Sequence, residues 1–109
     1  MKIIILPQVL DYLDRLVYIL YEKHYFSFLD SSIFYVDELL YDIETDLPAK
    51  QHKPAPKHFD KYGKGMKWAA FRKNRHTIWY VFFKTYETDG EIVYLVRYIS
   101  NNHVIAQYL

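Results

Sequence analysis

A chain of 109 residues with 51% hydrophobic side chains is one domain, residues 1–109, long enough to bury a core without staples. It has no cysteine, which excludes a disulfide framework and thiol chemistry and fits a cytoplasmic setting. The apolar run Ile3–Leu6 is cut by Pro7, so nothing approaches a signal sequence or a membrane span. The net charge of +1 hides a division, with residues 1–48 at −6, residues 49–75 at +8 and residues 76–109 at −1. A basic middle points to an anionic partner such as nucleic acid or an acidic protein, or else to acidic helices and a basic loop neutralising each other.

Lys2–Leu6 reads as a short strand whose three isoleucines imply cover on both faces, or nearly so. Pro7 ends the pairing and suits a first helical turn. From there to about Tyr25, Val9, Leu10, Leu13, Leu16, Val17, Leu20 and His24 recur at three- and four-residue steps, which predicts an amphipathic helix. Ser27 to Asp30 resembles a capping box opening a second helix that runs to about Asp46 and stops before Pro48. Leu29, Ile33, Val36, Leu40, Ile43 and Leu47 form its seam. A tight connection makes the pair an antiparallel hairpin. Its surplus aromatics can cover a sheet, meet a second copy in a homodimer, or receive a partner.

Ala49–Gly65 is irregular, with Pro54, Pro56, Gly63, Gly65 and five lysines; loops of this length are often functional. Phe59 and Tyr62 are expected to pin it to the body. His52 and His58 lack ligand spacing and read as solvated, so no metal or cofactor is expected. Three β-type segments follow: Lys67–Lys73, Thr77–Tyr86 and Glu91–Ile99. Lys73 to His76 makes a basic turn, and Thr88-Asp89-Gly90 signals a hairpin. The middle segment is apolar on both parities, as a central strand would be. Arg97 is the single charged interior position of the last segment, with Val93, Leu95 and Ile99 as its same-face neighbours by strict alternation. Ser100 to Asn102 turns the chain into an apolar tail. The sheet is expected to present Arg72, Lys73, Arg75, Arg97, His103 and Tyr108 to a partner. The fold class is α+β: β-α-α-β-β-β, a helical hairpin packed on an antiparallel sheet.

That order, the run W-A-A-F-R-K-N-R-H-T-I-W-Y-V-F-F and the closing V-R-Y-I-S-N-N-H-V-I-A-Q-Y-L resemble the RelE/ParE toxin superfamily, the toxins of bacterial type II toxin–antitoxin systems. The resemblance implies a cognate antitoxin and one of two activities. RelE-type members cut messenger RNA on the ribosome; ParE-type members poison DNA gyrase. A binding module of the same fold is a third alternative. For RNA cleavage the 2′-hydroxyl loses a proton, charge on the phosphate is stabilised, and the leaving oxygen gains a proton, for which arginine and lysine can supply the electrostatic part. By this resemblance Arg72, His103 and Tyr108 are the catalytic candidates, and Lys67, Lys73, Arg75 and Arg97 the substrate-binding ones. Arg97 sits where ParE-like members often carry an arginine. The chain departs from the RelE pattern at Thr77 or Ile78, and at Asn101 or Asn102, where basic residues are usual.

Overall fold

The lack of a polar parity in the middle strand has a direct cause: it is buried on both faces. The computed structural model describes residues 1–109 apart from the side chain of Ala106. In chain order it forms β1 (Lys2–Ile5), α1 (Pro7–Glu22), α2 (Leu29–Asp46), a two-residue β2 (Lys53–Pro54), β3 (Lys67–Arg72), β4 (Ile78–Thr88), β5 (Glu91–Asn101) and a single turn of helix, α3 (Asn102–Ile105). The sheet order is β1-β5-β4-β3-β2. Three of its pairings are antiparallel, but β1 lies parallel to β5, with Ile3 opposite Tyr94 and Ile5 opposite Val96. The sheet is therefore mixed rather than antiparallel throughout. A helical hairpin between β1 and the rest of the sheet carries the chain across one face, and a crossover of that length permits parallel return. As an edge strand β1 has cover on one side only: Ile3 and Ile5 face the core and Ile4 is exposed.

On the helical face, Val9, Leu13 and Leu16 of α1 and Val36, Leu39 and Ile43 of α2 pack on Phe71, Trp79, Val81, Phe83 and Val96. The opposite face holds a second cluster: Phe59, Met66, Phe82 and Ile105, flanked by Tyr62, Trp68, Tyr80 and Tyr98. The long loop supplies its cover. Within it Lys53 and Pro54 pair with Trp68 and Lys67, and a 3₁₀ turn at Lys57–Tyr62 sets Phe59 on the Phe82 ring at 4.5 Å between centroids. Loop and tail are thus a second layer over the sheet, not free segments. Among the described residues no helix is long and apolar enough to cross a membrane.

Several sequence expectations shift by a residue or two. The α1 helix stops at Glu22 because His24 adopts a positive φ of 62° and the Tyr25 N–H reaches back to the Leu20 carbonyl. This left-handed stop closes the helix, so His24 is not part of the apolar seam. The capping box does not form: Phe28 caps α2 through its backbone, and no side chain caps it. The α2 seam is Ser32, Val36, Leu39 and Ile43, with Ile33 exposed. Ser32 wins the position because its hydroxyl donates to the Val17 carbonyl of α1, a buried bond an isoleucine there would not make.

The two residues at the middle of α3 and its end make a sharp contrast. Ile105 is 3% exposed and Val104 60% exposed. Ile105→Ala is expected to cost about 2–5 kcal/mol. Val104→Ala should stay within about 0.5 kcal/mol. Urea unfolding midpoints of both variants check this.

Candidate functional site

The β3–β4 turn is built by Asn74. Its side-chain oxygen accepts the N–H groups of His76 at 2.9 Å and Thr77 at 3.0 Å, which fixes residues 73–77 in a tight reversal. Arg72, on the last residue of β3, folds its guanidinium over this turn and donates to the carbonyls of Asn74 (3.4 Å) and Arg75 (3.3 Å). Asn102 pins the turn to α3: its oxygen accepts the Ile78 N–H at 2.9 Å and its amide donates to the His76 carbonyl at 3.1 Å. One residue on, His103 Nε2 lies 3.4 Å from Thr77 Oγ1, and its own N–H donates to Asn101 Oδ1. Arg72, Arg75, His76 and His103 therefore gather, exposed, at one end of the sheet. Among the described residues the ion pairs are Lys73–Glu38 and that of the Met1 amino group with Glu91, so neither arginine is paired to a carboxylate.

The other candidates lie elsewhere. Lys73 turns to the helical face, where its ammonium pairs with Glu38 and sits 5.1 Å from the Tyr35 ring centre; its side chain is 6% exposed. It ties the turn to α2. Lys67 starts β3, opposite Phe83, at the far end of that strand from Arg72. Tyr108 stacks on His58, with ring centres 3.7 Å apart and planes 5° from parallel. That contact fastens the tail to the loop and gives His58 a packing partner, so His58 is not simply solvated. His52 is not either: it is half-buried against Phe83 and Tyr94 and bonds the Leu47 carbonyl through Nε2 at 2.9 Å. No cluster of three metal-ligating side chains occurs among the described residues.

Arg97 occupies a β-bulge. Phe82 pairs with Tyr98 but Phe83 with Val96, which leaves Arg97 unmatched. The slip sets Val96 and Ile99 on one face and separates Arg97 from Ile99, contrary to strict alternation. Its Nε donates to the Tyr62 carbonyl at 2.9 Å. Gly63 makes this possible: a Cβ there would come within 2.7 Å of that Nε, and its φ of 152° disfavours other residues. Arg97 borders a cleft of about 580 Å³. The cleft forms because β1 ends at Ile5, the Leu6 N–H bonds the Val96 carbonyl, and Pro7 then turns the chain away into α1. Beyond Val96, β5 has no strand on that side. Gln8, Tyr12 and Arg15 of α1, Lys61 and Tyr62 of the loop, and Val104 of α3 complete the walls. Arg15 carried no signal in the sequence, and nothing there brings Lys61 and Tyr62 of the loop to Arg97 on β5, since the three stretches are far apart along the chain.

Two phenols in this cleft titrate above the ordinary 10.0. Burial raises Tyr98 first, and the neighbouring Tyr62 hydroxyl adds to it; burial again leads for Tyr12, followed by Tyr98. Tyr62 and Tyr98 stack face to face with centres 3.8 Å apart.

No family model, curated protein or solved structure matches this chain.

Asn102→Ala removes the two bonds this side chain makes to Ile78 and His76 and should cost about 1–3 kcal/mol, read from the denaturant midpoint. The raised phenols carry a sign: the unfolded chain loses these protons at lower pH than the folded one. Their contribution is complete below about pH 10 and is lost as pH rises through the higher folded values. The thermal midpoint should fall above that pH, and less steeply in Tyr98→Phe.

Proposed function

We propose that the chain is the toxin of a type II toxin–antitoxin pair, of the RelE/ParE kind, and that it acts by cutting RNA on the ribosome at the exposed end of the sheet. The observation that carries this reading is the exposed His103 imidazole set beside Thr77, in the same turn as Arg72 and Arg75, neither of which has a carboxylate partner. Imidazole is the side chain best suited to move protons near neutral pH. Two guanidiniums free of carboxylates can receive phosphate oxygens.

The chemistry assigned to these groups is direct. His103 takes the proton of a 2′-hydroxyl, whose oxygen attacks the adjacent phosphorus. Arg72 and Arg75 stabilise the charge that builds on the phosphate oxygens. The bond to the 5′ oxygen breaks, and the imidazolium returns its proton to that leaving group. The products are a 2′,3′-cyclic phosphate and a 5′-hydroxyl. Tyr108, stacked on His58, is assigned to holding the tail in place, and Lys73, paired with Glu38, to holding the turn. The partner antitoxin would bring acidic segments to the basic loop.

A second reading, a gyrase poison or a binding module that needs no nuclease group, draws on the exposed aromatic residues of the helical hairpin: Tyr18, Tyr25, Phe28, Phe34 and Tyr41. Such a surface suits a protein partner.

Regulated expression separates the two. Translation should stop before replication, and His103→Ala should slow RNA cleavage by roughly 10²- to 10⁴-fold while the fold is retained. Full toxicity of the His103→Ala, Arg72→Gln double variant, or inhibition of purified gyrase with RNA intact, would remove the nuclease reading.

A further inference from the structure

The cleft beside β5 is separate from the cluster at the β3–β4 turn. The short α3 stands between them: His103 turns toward Thr77, while Val104 lines the cleft. Three cations border the cleft, Arg15 from α1, Lys61 from the loop and Arg97 from the β5 bulge, and no carboxylate is among its lining residues. None of the three is in an ion pair among the described residues. Convergence of like charges from three elements is unfavourable unless solvent or an anion screens it.

Arg97 is also positioned. Its Nε is held by the Tyr62 carbonyl, and Gly63 leaves room for it against the backbone. That bond leaves the two terminal nitrogens, a fork suited to two oxygens of one phosphate. Beside the cations lie flat apolar walls, Tyr12 on one side and the Tyr62–Tyr98 stack on the other. A volume of about 580 Å³ is within the range of small-molecule sites and far larger than a bare anion needs.

We propose that this cleft is a binding site for a nucleoside monophosphate, with Arg97, Arg15 and Lys61 on the phosphate and the tyrosine walls against the base and sugar. Clustered cations beside aromatic faces are the pairing that phosphate and base together require. An acidic peptide is the rival occupant. It would add to the free edge of β5 as a strand, but its carboxylates bring no flat ring to set against Tyr12 and the Tyr62–Tyr98 stack. The site stands independently of RNA cleavage at the turn.

The test is calorimetric titration of the full chain with adenosine and uridine 5′-monophosphates, inorganic phosphate, adenosine, and a short poly-glutamate peptide. The monophosphates should saturate, with phosphate and adenosine at least tenfold weaker. Arg15→Gln and Lys61→Gln alter exposed side chains and should leave folding intact while each weakens the monophosphates several-fold; Arg97→Gln should do so by tenfold or more. Gly63→Ala, which displaces Arg97, should act in the same direction. Equal affinity for inorganic phosphate, tighter binding of the peptide, no saturation at millimolar monophosphate, or unchanged affinity in both Arg15→Gln and Lys61→Gln would each overturn the proposal. Because no RNA is cut in the titration, its outcome is separate from that of the toxicity assay.

Discussion

The structure depends on one constraint: β4 has to be buried on both faces. Phe82 and Phe83 are adjacent, so they point to opposite sides of the sheet, and both are fully buried. One layer of helices can satisfy only one of them. The hairpin of α1 and α2 takes Trp79, Val81 and Phe83. The other face must be closed by whatever chain remains, which is the loop between α2 and β3 and the tail after β5. Phe59 and Ile105 do this, and each is almost wholly buried. Burial of one such side chain contributes about 1.5–3 kcal/mol, so neither segment can leave the sheet without a large loss.

This constraint also decides where polar chemistry can sit. With both faces of the central strands covered, cations move to the margins. One margin is the β3–β4 turn, where Asn74 and Asn102 hold the chain in a fixed shape. The other is the edge of β5, freed because Pro7 ends the pairing of β1. The bulge at Arg97 belongs to the same logic. A regular β5 would place Val96 and Ile99 on opposite faces; one unmatched residue puts both against the helices and lets Tyr98 pack over Phe82. The arginine is the residue that the slip leaves at the edge.

Much of the element order was legible in the residues, because periodicity and turn chemistry are local. The helices, the last three strands and the Asp89-Gly90 reversal fall within a few positions of where their patterns place them. What was not legible is non-local. The parallel partner of β1 depends on the hairpin's crossover, which no strand pattern encodes. A strand apolar on both parities gives no clue to which face the helices cover. A bulge is invisible to alternation until the partner's register is known. The exposed Ile33 and the buried Ser32 exchanged expected places because one hydroxyl found a carbonyl on another helix. The cleft draws Arg15, Lys61 and Arg97 from three separated stretches, so no spacing could announce it.

The neutral polar residues at the β3–β4 turn have a structural role. Thr77 and Asn102 both serve there as neutral polar pins. Asn102 satisfies the Ile78 N–H and the His76 carbonyl at once, a pairing a lysine or arginine could not make because it has no acceptor. Thr77 can meet His103 whichever ring nitrogen carries the proton, since a hydroxyl both donates and accepts. The two pins add no charge at the turn and fix the backbone that carries Arg72 and Arg75. Any phosphate bound at this end must then rely on arginines whose direction is set by the turn itself. The site's electrostatics therefore depend on the shape of residues 73–77, and that shape depends on Asn74.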